Sequence, residues 1–260
     1  MLRAHLGELG SAFGMRNLSV SGRLARFSLG MISTLLQLVL VTVAQADAPW
    51  PDPERFRAAI EAFEREDRKA APPSGAIVGT GSSSMRFWSV GDRFERDLSP
   101  LTVINRGFGG SVIHDVETFL EPLVLKHQPR AVLIYEGDND VAEGVPVHDI
   151  LASYDRVQTR LDQLPAPPRV YWLAVKPSLA RWSLWPLMLA VNNGLKERAS
   201  RHPRITFVDV ATPMLNEQGT PREDIFIADG LHMNAKGYDL WRDALRPILL
   251  QTELEFERAP

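Results

Sequence analysis

The chain contains no cysteine. That excludes a disulfide framework, a thiolate nucleophile, a Cys-ligated metal and a lipid-modified cysteine. It does not exclude an oxidising compartment, where stability would rest on packing alone. Histidine is also sparse. None of the six forms an H-x-x-x-H pair with another, so no metal site is predicted, and no cofactor either. Positive charge is not in excess. The formal net charge is -3; the first 46 residues hold four Arg and one Glu, leaving 25 basic and 31 acidic residues beyond them. With no basic stripe, no nucleic-acid partner is expected. Internal repeats are absent as well. What remains, 45% hydrophobic and 23% charged over 260 residues, is an ordinary globular balance, long enough for one substantial core.

The amino terminus is set apart. In "RLARFSLGMISTLLQLVLVTVAQADAPW", Arg23 and Arg26 precede a mainly apolar run from Phe27 to Val43, and "AQA" at 44–46 supplies small residues. This is the pattern of a secretory signal, with cleavage expected between Ala46 and Asp47. An uncleaved anchor is the alternative. The run is polar-spotted and shorter than the about 20 apolar residues a span needs. Met15 offers a second start that shortens the segment before the arginines. The expected location is periplasmic or secreted, with membrane contact only through this segment if it is retained.

From residue 75 onward, apolar runs alternate with helical patterns. Strands are expected at "AIVGTG" (76–81), "LTVINRGF" (101–108), "AVLIYEG" (131–137), "VYWLAVKPS" (170–178) and "ITFVDV" (205–210). Several are apolar throughout, as parallel strands buried on both faces are. Helices are expected near 54–68, 84–96, 113–126, 147–164, 183–201 and 235–252. This rhythm predicts an α/β fold, a three-layer α/β/α sandwich on a parallel five-stranded sheet. The organisation expected is a signal peptide over 1–46, a leader and first helix over 47–74, and the main domain over 75–260.

In such a sheet ligands bind beyond the carboxyl ends of the strands. Four clusters lie there: the serines of "GTGSSSM" (79–85), "GFGGS" (107–111), "GDND" (137–140) and "DGLH" (229–232), the last expected to open the final helix. A serine hydroxyl is inert without a base and an anion-stabilising site. His232 is the best base, because Asp229 three residues earlier can hold one imidazole nitrogen and leave the other free. The competing reading is a helix start capped by Asp229 or Asn234. Gly109 and Gly110 allow close approach of a backbone amide, or form a plain turn. Asn139 can donate a side-chain N–H to an oxyanion, or cap a helix. His114, His127, His148 and His202 are weaker candidates.

Together these four blocks resemble the SGNH hydrolases, the GDSL-like esterase and lipase superfamily, over about residues 75–240. The G-D-S block corresponds to Gly81-Ser82-Ser83, the glycine turn ends at Gly110, G-x-N-D is "GDND", and D-x-x-H is Asp229 and His232. The resemblance implies a flavodoxin-like sheet with an open site. It makes Ser83 the nucleophile, with Ser82 in place of the family aspartate and Ser84 beginning the helix. It also implies an oxyanion hole from the Ser83 amide, Gly110 and Asn139. The lipase elbow G-x-S-x-G is absent, since Met85 stands where its last glycine would be. The implied activity is a serine esterase acting on lipid, aryl or acetyl-sugar esters. An acyltransferase modifying an envelope polysaccharide, or a non-catalytic binding protein on the same fold, are the alternatives. Trp182 and Trp185 could line an acyl or aryl pocket but are expected to cover the core. Lys176 could bind an anion or end a strand in solvent.

Overall fold

A computed structural model describes residues 50–257. The expected signal segment, and the cleavage between Ala46 and Asp47, lie outside the described residues.

Five strands form one sheet: β1 (Ile77–Gly81), β2 (Val103–Gly107), β3 (Ala131–Tyr135), β4 (Arg169–Leu173) and β5 (Ile205–Val208). Their order is β2-β1-β3-β4-β5, and every pairing is parallel. The helices are α1 (Arg57–Lys69), α2 (Ser83–Trp88), α3 (Arg93–Leu98), α4 (Ile113–Thr118), α5 (Leu120–Leu123), α6 (Asp138–Ala142), α7 (Val147–Asp162), α8 (Trp185–Ser200) and α9 (Ala235–Glu253).

Strand periodicity divides the core in two. Val78, Val132 and Ile134 face one side, where they pack with Ile60 of α1, Val157 of α7 and Leu195 of α8. Ile77, Leu133 and Tyr135 face the other, with Trp88 of α2, Phe94 of α3 and Trp241 of α9. Both faces of β1 and β3 are therefore covered, and every residue of both strands is buried. That is why their sequences read as apolar runs rather than alternation. The three-layer α/β/α sandwich expected from the sequence is the fold observed.

The chain winds from β1 out to β2, returns past β1 to β3, then proceeds to β4 and β5. The direction reverses between β1 and β3, which opens a crevice at their carboxyl ends. Gly81 and Tyr135 are register partners there.

Several helix boundaries differ from expectation. The helix expected over 84–96 is two, α2 and α3, parted where Gly91 (φ 67°) and Asp92 (φ 54°) take the left-handed conformation. A helix cannot pass through two such residues. The helix expected over 113–126 divides into α4, α5 and a 3-10 turn at Leu125–His127. Pro122 within α5 lacks the N–H to continue the ladder from α4. The strand expected over 170–178 ends at Leu173; Ala174 N–H still donates to the Val208 carbonyl, and 175–178 continues buried but outside the ladder. The last helix starts at Ala235, capped by Asn234, whose side chain accepts from the backbone N–H of Lys236 and Gly237. "DGLH" therefore precedes that helix as a separate turn instead of opening it.

Candidate active site

β1 delivers the three serines to the crevice. Gly81 (φ 133°) runs so close to β3 that a Cβ there would stand 2.0 Å from the Tyr135 carbonyl oxygen. Ser82 follows as the N-cap of α2, and Ser83, not Ser84, is its first residue. The three hydroxyls then diverge. Ser82 is buried, and its Oγ has no hydrogen-bond partner among the described residues. Ser84 is buried under Tyr238, whose hydroxyl donates to its carbonyl at 2.9 Å. Ser83 Oγ alone faces the imidazole, 2.9 Å from His232 Nε2.

The turn carrying His232 is built by its own backbone. Phe226 and Met233 pair across it, the Ile227 N–H donates to the His232 carbonyl, and Gly230 takes φ 64° at the tip. Asp229 Oδ1 accepts from the N–H groups of Leu231 (2.8 Å) and His232 (2.9 Å). Its Oδ2 lies 2.6 Å from His232 Nδ1. Desolvation pushes the Asp229 carboxyl up, but hydrogen bonds from the His232 ring and these backbone amides outweigh it and bring the carboxyl down to about 2. An ionised Asp229 accepts only, so Nδ1 carries the ring proton and Nε2 is left as an acceptor for the Ser83 hydroxyl. Phe87 of α2 packs edge-on against the imidazole, ring centroids 4.9 Å apart.

The other side of the crevice holds N–H donors. Gly110 (φ 89°) is exposed, and its N–H makes no hydrogen bond among the described residues; nor does the N–H of Ser83 at the start of α2. Asn139 lies in the first turn of α6, behind its N-cap Gly137. Its amide caps nothing. Nδ2 donates to the Ser111 carbonyl at 2.8 Å, and Oδ1 accepts from Arg181 Nη1 at 2.9 Å. The second Nδ2–H is left over. Asp140 ties the two donor turns together, accepting from Ile113 N–H and Gly137 N–H at 2.9 Å each.

The structure thus gathers Ser83, Asp229 and His232 into one hydrogen-bonded row and sets Gly110 and Asn139 on turns of the same crevice. His114, His127, His148 and His202 are elsewhere, beside Trp50, Asp67, Asp149 and Asp162 respectively. Trp182 and Trp185 stack with centroids 5.9 Å apart, and Trp185 packs against both halves of the core.

Lys176 is neither a solvated strand end nor an open anion site. It is buried just past β4, and Nζ donates to the Leu231 carbonyl at 2.9 Å and to Asp138 Oδ2 at 3.4 Å. Burial lowers its pKa, with Asp138 pulling the other way. Arg181 approaches the same Asp138 oxygen at 3.6 Å, and Ala180 N–H donates to the Gly230 carbonyl at 3.0 Å. The segment after β4 therefore clamps the Asp229–His232 turn to the Asp138–Asn139 turn. Sequence reasoning assigned no role to Asp138 or Arg181. The available signal was a lysine and an arginine within six residues at the carboxyl end of a buried strand.

The sheet order observed, with a serine–histidine–aspartate row at its switch point, defines a doubly wound α/β protein. The chain belongs to the GDSL-like Lipase/Acylhydrolase family, whose sequence model matches residues 78–240. No curated protein sequence matches the chain. Among solved structures, a Bacteroides fragilis protein named as an acylhydrolase is 19% identical, covering 75% of this chain and 97% of its own, with a TM-score of 0.65. A GDSL-like lipase from Bacteroides thetaiotaomicron is 18% identical over 75% of this chain and 98% of its own, TM-score 0.63. A variant of an acetylxylan esterase from Geobacillus stearothermophilus is 17% identical over 73% of this chain and 99% of its own, TM-score 0.57. At these identities the likenesses establish the fold, and membership of the family supports hydrolysis of esters.

Proposed function

We propose that the protein is an exported serine esterase that works through an acyl-enzyme. The observation that carries this reading is the row Asp229 Oδ2, His232 Nδ1, His232 Nε2, Ser83 Oγ, with its separations of 2.6 and 2.9 Å. His232 takes the Ser83 proton as Oγ attacks the ester carbonyl. The carbonyl oxygen gains the charge and is received by the N–H groups of Ser83, Gly110 and Asn139 Nδ2. Collapse breaks the carbonyl–alkoxy bond, and His232 passes its proton to the departing alcohol. Water then repeats the sequence and frees the acid. Asp229 fixes the tautomer and offsets the imidazolium charge. The acetylxylan esterase among the neighbours supports a short acyl group on a carbohydrate as one substrate class. Export is supported by the arginine-led apolar segment that ends in Ala44-Gln45-Ala46.

Turnover of 4-nitrophenyl acetate against longer 4-nitrophenyl esters tests the activity, together with labelling by a fluorophosphonate. The expected result is hydrolysis with one label per chain, located at Ser83. A label elsewhere, or hydrolysis unaffected by S83A, overturns the assignment. Amino-terminal sequencing of exported protein tests the rest, with Asp47 expected as the first residue.

A further inference from the structure

Arg86 stands on α2 three residues after Ser83, on the same face, where Cβ atoms at this spacing lie about 5–6 Å apart. Its guanidinium has a neighbour on two sides. Against one lies Gly109, where a Cβ would meet Arg86 Cζ, Nη2 and Nε at 2.9, 3.0 and 3.1 Å. A side chain at 109 would push the guanidinium aside, so Gly109 lets it lie close. Against the other lies the Phe87 ring, its centroid 4.6 Å from Cζ. Gly109 immediately precedes Gly110, and Phe87 is the ring that packs on His232. The cation therefore lies between the two halves of the site.

It has no counterion among the described residues. Among the described residues the Arg86 side chain donates no hydrogen bond and forms no ion pair, although it is exposed. The other arginines near the crevice are engaged: Arg181 with Asn139 and Asp138, and Arg55 with Asp115. An unpaired arginine on open surface is ordinary, because its head group moves freely in water. Arg86 differs in lying against Gly109 and the Phe87 ring, one helical turn from the nucleophile. A guanidinium presents its N–H donors as a planar fork matched to a carboxylate or phosphate. A cation beside the site also raises the local concentration of anions.

We propose that Arg86 is the anchor for an anionic group on the substrate, so that the preferred ester carries a carboxylate or phosphate within a few bonds of the scissile carbonyl. This rests on the esterase reading above and narrows its substrate class. It is distinct from the oxyanion donors, which meet a charge that exists only during reaction.

Two matched pairs of esters test it. 3-Acetoxybenzoate and 3-acetoxybenzamide place the anion, or its neutral counterpart, on the alcohol side. Mono-4-nitrophenyl succinate and 4-nitrophenyl butanoate do so on the acyl side. kcat/KM is measured for all four with wild type, R86Q and R86K. In at least one pair the wild type is expected to favour the anion, and R86Q to lower the anion-to-neutral ratio roughly 10–100-fold, the range of a charge-assisted hydrogen bond. R86K, which keeps the charge but loses the fork, should fall between, and added NaCl should compress the wild-type ratio. Turnover of the neutral esters reports that each variant is folded; should R86Q fail to fold, the drop in R86K decides. If both ratios survive in the variants while neutral esters are hydrolysed, this inference falls alone. If the wild type cleaves none of the four, the esterase reading falls and takes it along.

Discussion

Arg181 Nη1 donates to Asn139 Oδ1 at 2.9 Å while Asn139 Nδ2 donates to the Ser111 carbonyl at 2.8 Å. The two bonds decide which end of the amide faces the crevice. A side-chain amide can present either its oxygen or its NH₂ by rotating about one bond, and arginine has donors only. A flipped Asn139 would set NH₂ against the guanidinium and turn its oxygen away from it. The observed pair therefore keeps the NH₂ end away from Arg181, with one N–H left over for the charge that the proposed mechanism develops.

Loss of Arg181 should be felt through Asn139. N139A is expected to lower kcat about 10²–10³-fold, the usual effect of one oxyanion donor. R181M should lower kcat by a smaller factor, about tenfold or more, with KM within about threefold, because the bond matters mainly as the carbonyl oxygen gains charge. The double variant N139A/R181M should be no more than about twofold slower than N139A, since residues in one network are not additive. Steady-state kinetics on one chromogenic ester reads all three. Multiplicative losses would show that Arg181 acts elsewhere.

The register of the three serines gives a second expectation. S83A should lose several orders of magnitude in kcat, because the acyl-enzyme cannot form. S82A should stay within about tenfold. Ser82 is the N-cap of α2, yet its side chain makes no capping bond, so the usual loss from replacing a cap by alanine does not apply in full. An inactive S82A beside an active S83A would sink the assignment of roles at the end of β1.

The residues the sequence made legible share one property: their partners in the row, or their place at a strand end, show in short motifs. Asp229 and His232 are three apart, and Asn139 and Gly110 follow buried runs. The apolar runs themselves marked both-face burial, and with it the parallel sheet. What was not legible depends on distance along the chain. Lys176 meets Leu231 across 55 residues, and Arg181 meets Asn139 across 42. No local pattern announces such pairs. α6 is also short enough, five residues, to leave no periodicity. The break between α2 and α3 falls at Gly91 and Asp92, and a left-handed Asp92 is a conformation its residue type adopts too seldom to be expected.

The Lys176–Asp138 pair should reveal itself by partial rescue. K176M leaves Asp138 short of a partner in a buried position and strips the Leu231 carbonyl of its donor. Removing one member of a buried pair costs about 3–5 kcal/mol, whereas removing both charges costs far less. D138N/K176M is therefore expected to be more stable than K176M alone by urea unfolding. A double variant less stable than K176M would mean that the two side chains contribute independently.

Glu136 carries the last expectation, a dependence of stability on pH. It follows β3 directly and is fully buried. Burial pushes its carboxyl well above the ordinary range, and the nearby Asp140 adds to this. The hydrogen bonding agrees. Ser111 has one hydroxyl proton and two oxygens in reach, the Phe108 carbonyl at 3.0 Å and Glu136 Oε1. If the serine proton goes to Phe108, a neutral Glu136 can donate to Ser111 Oγ, and an ionised one cannot. Oε2 has no partner among the described residues, which a neutral acid tolerates better than a carboxylate. The native state thus holds a proton that the unfolded chain releases above about pH 4.3. Stability from this group is complete below that pH and declines as pH rises toward the folded-state value, by up to about 1.4 kcal/mol per pH unit. E136Q keeps the shape and the donor but does not titrate. Its melting temperature relative to wild type should therefore be higher at pH 8 than at pH 4, as thermal unfolding at the two pH values would read. A shift in the opposite direction would show that Glu136 is ionised in the folded protein, and that Ser111, beside Gly110, is held by a carboxylate instead of a neutral acid.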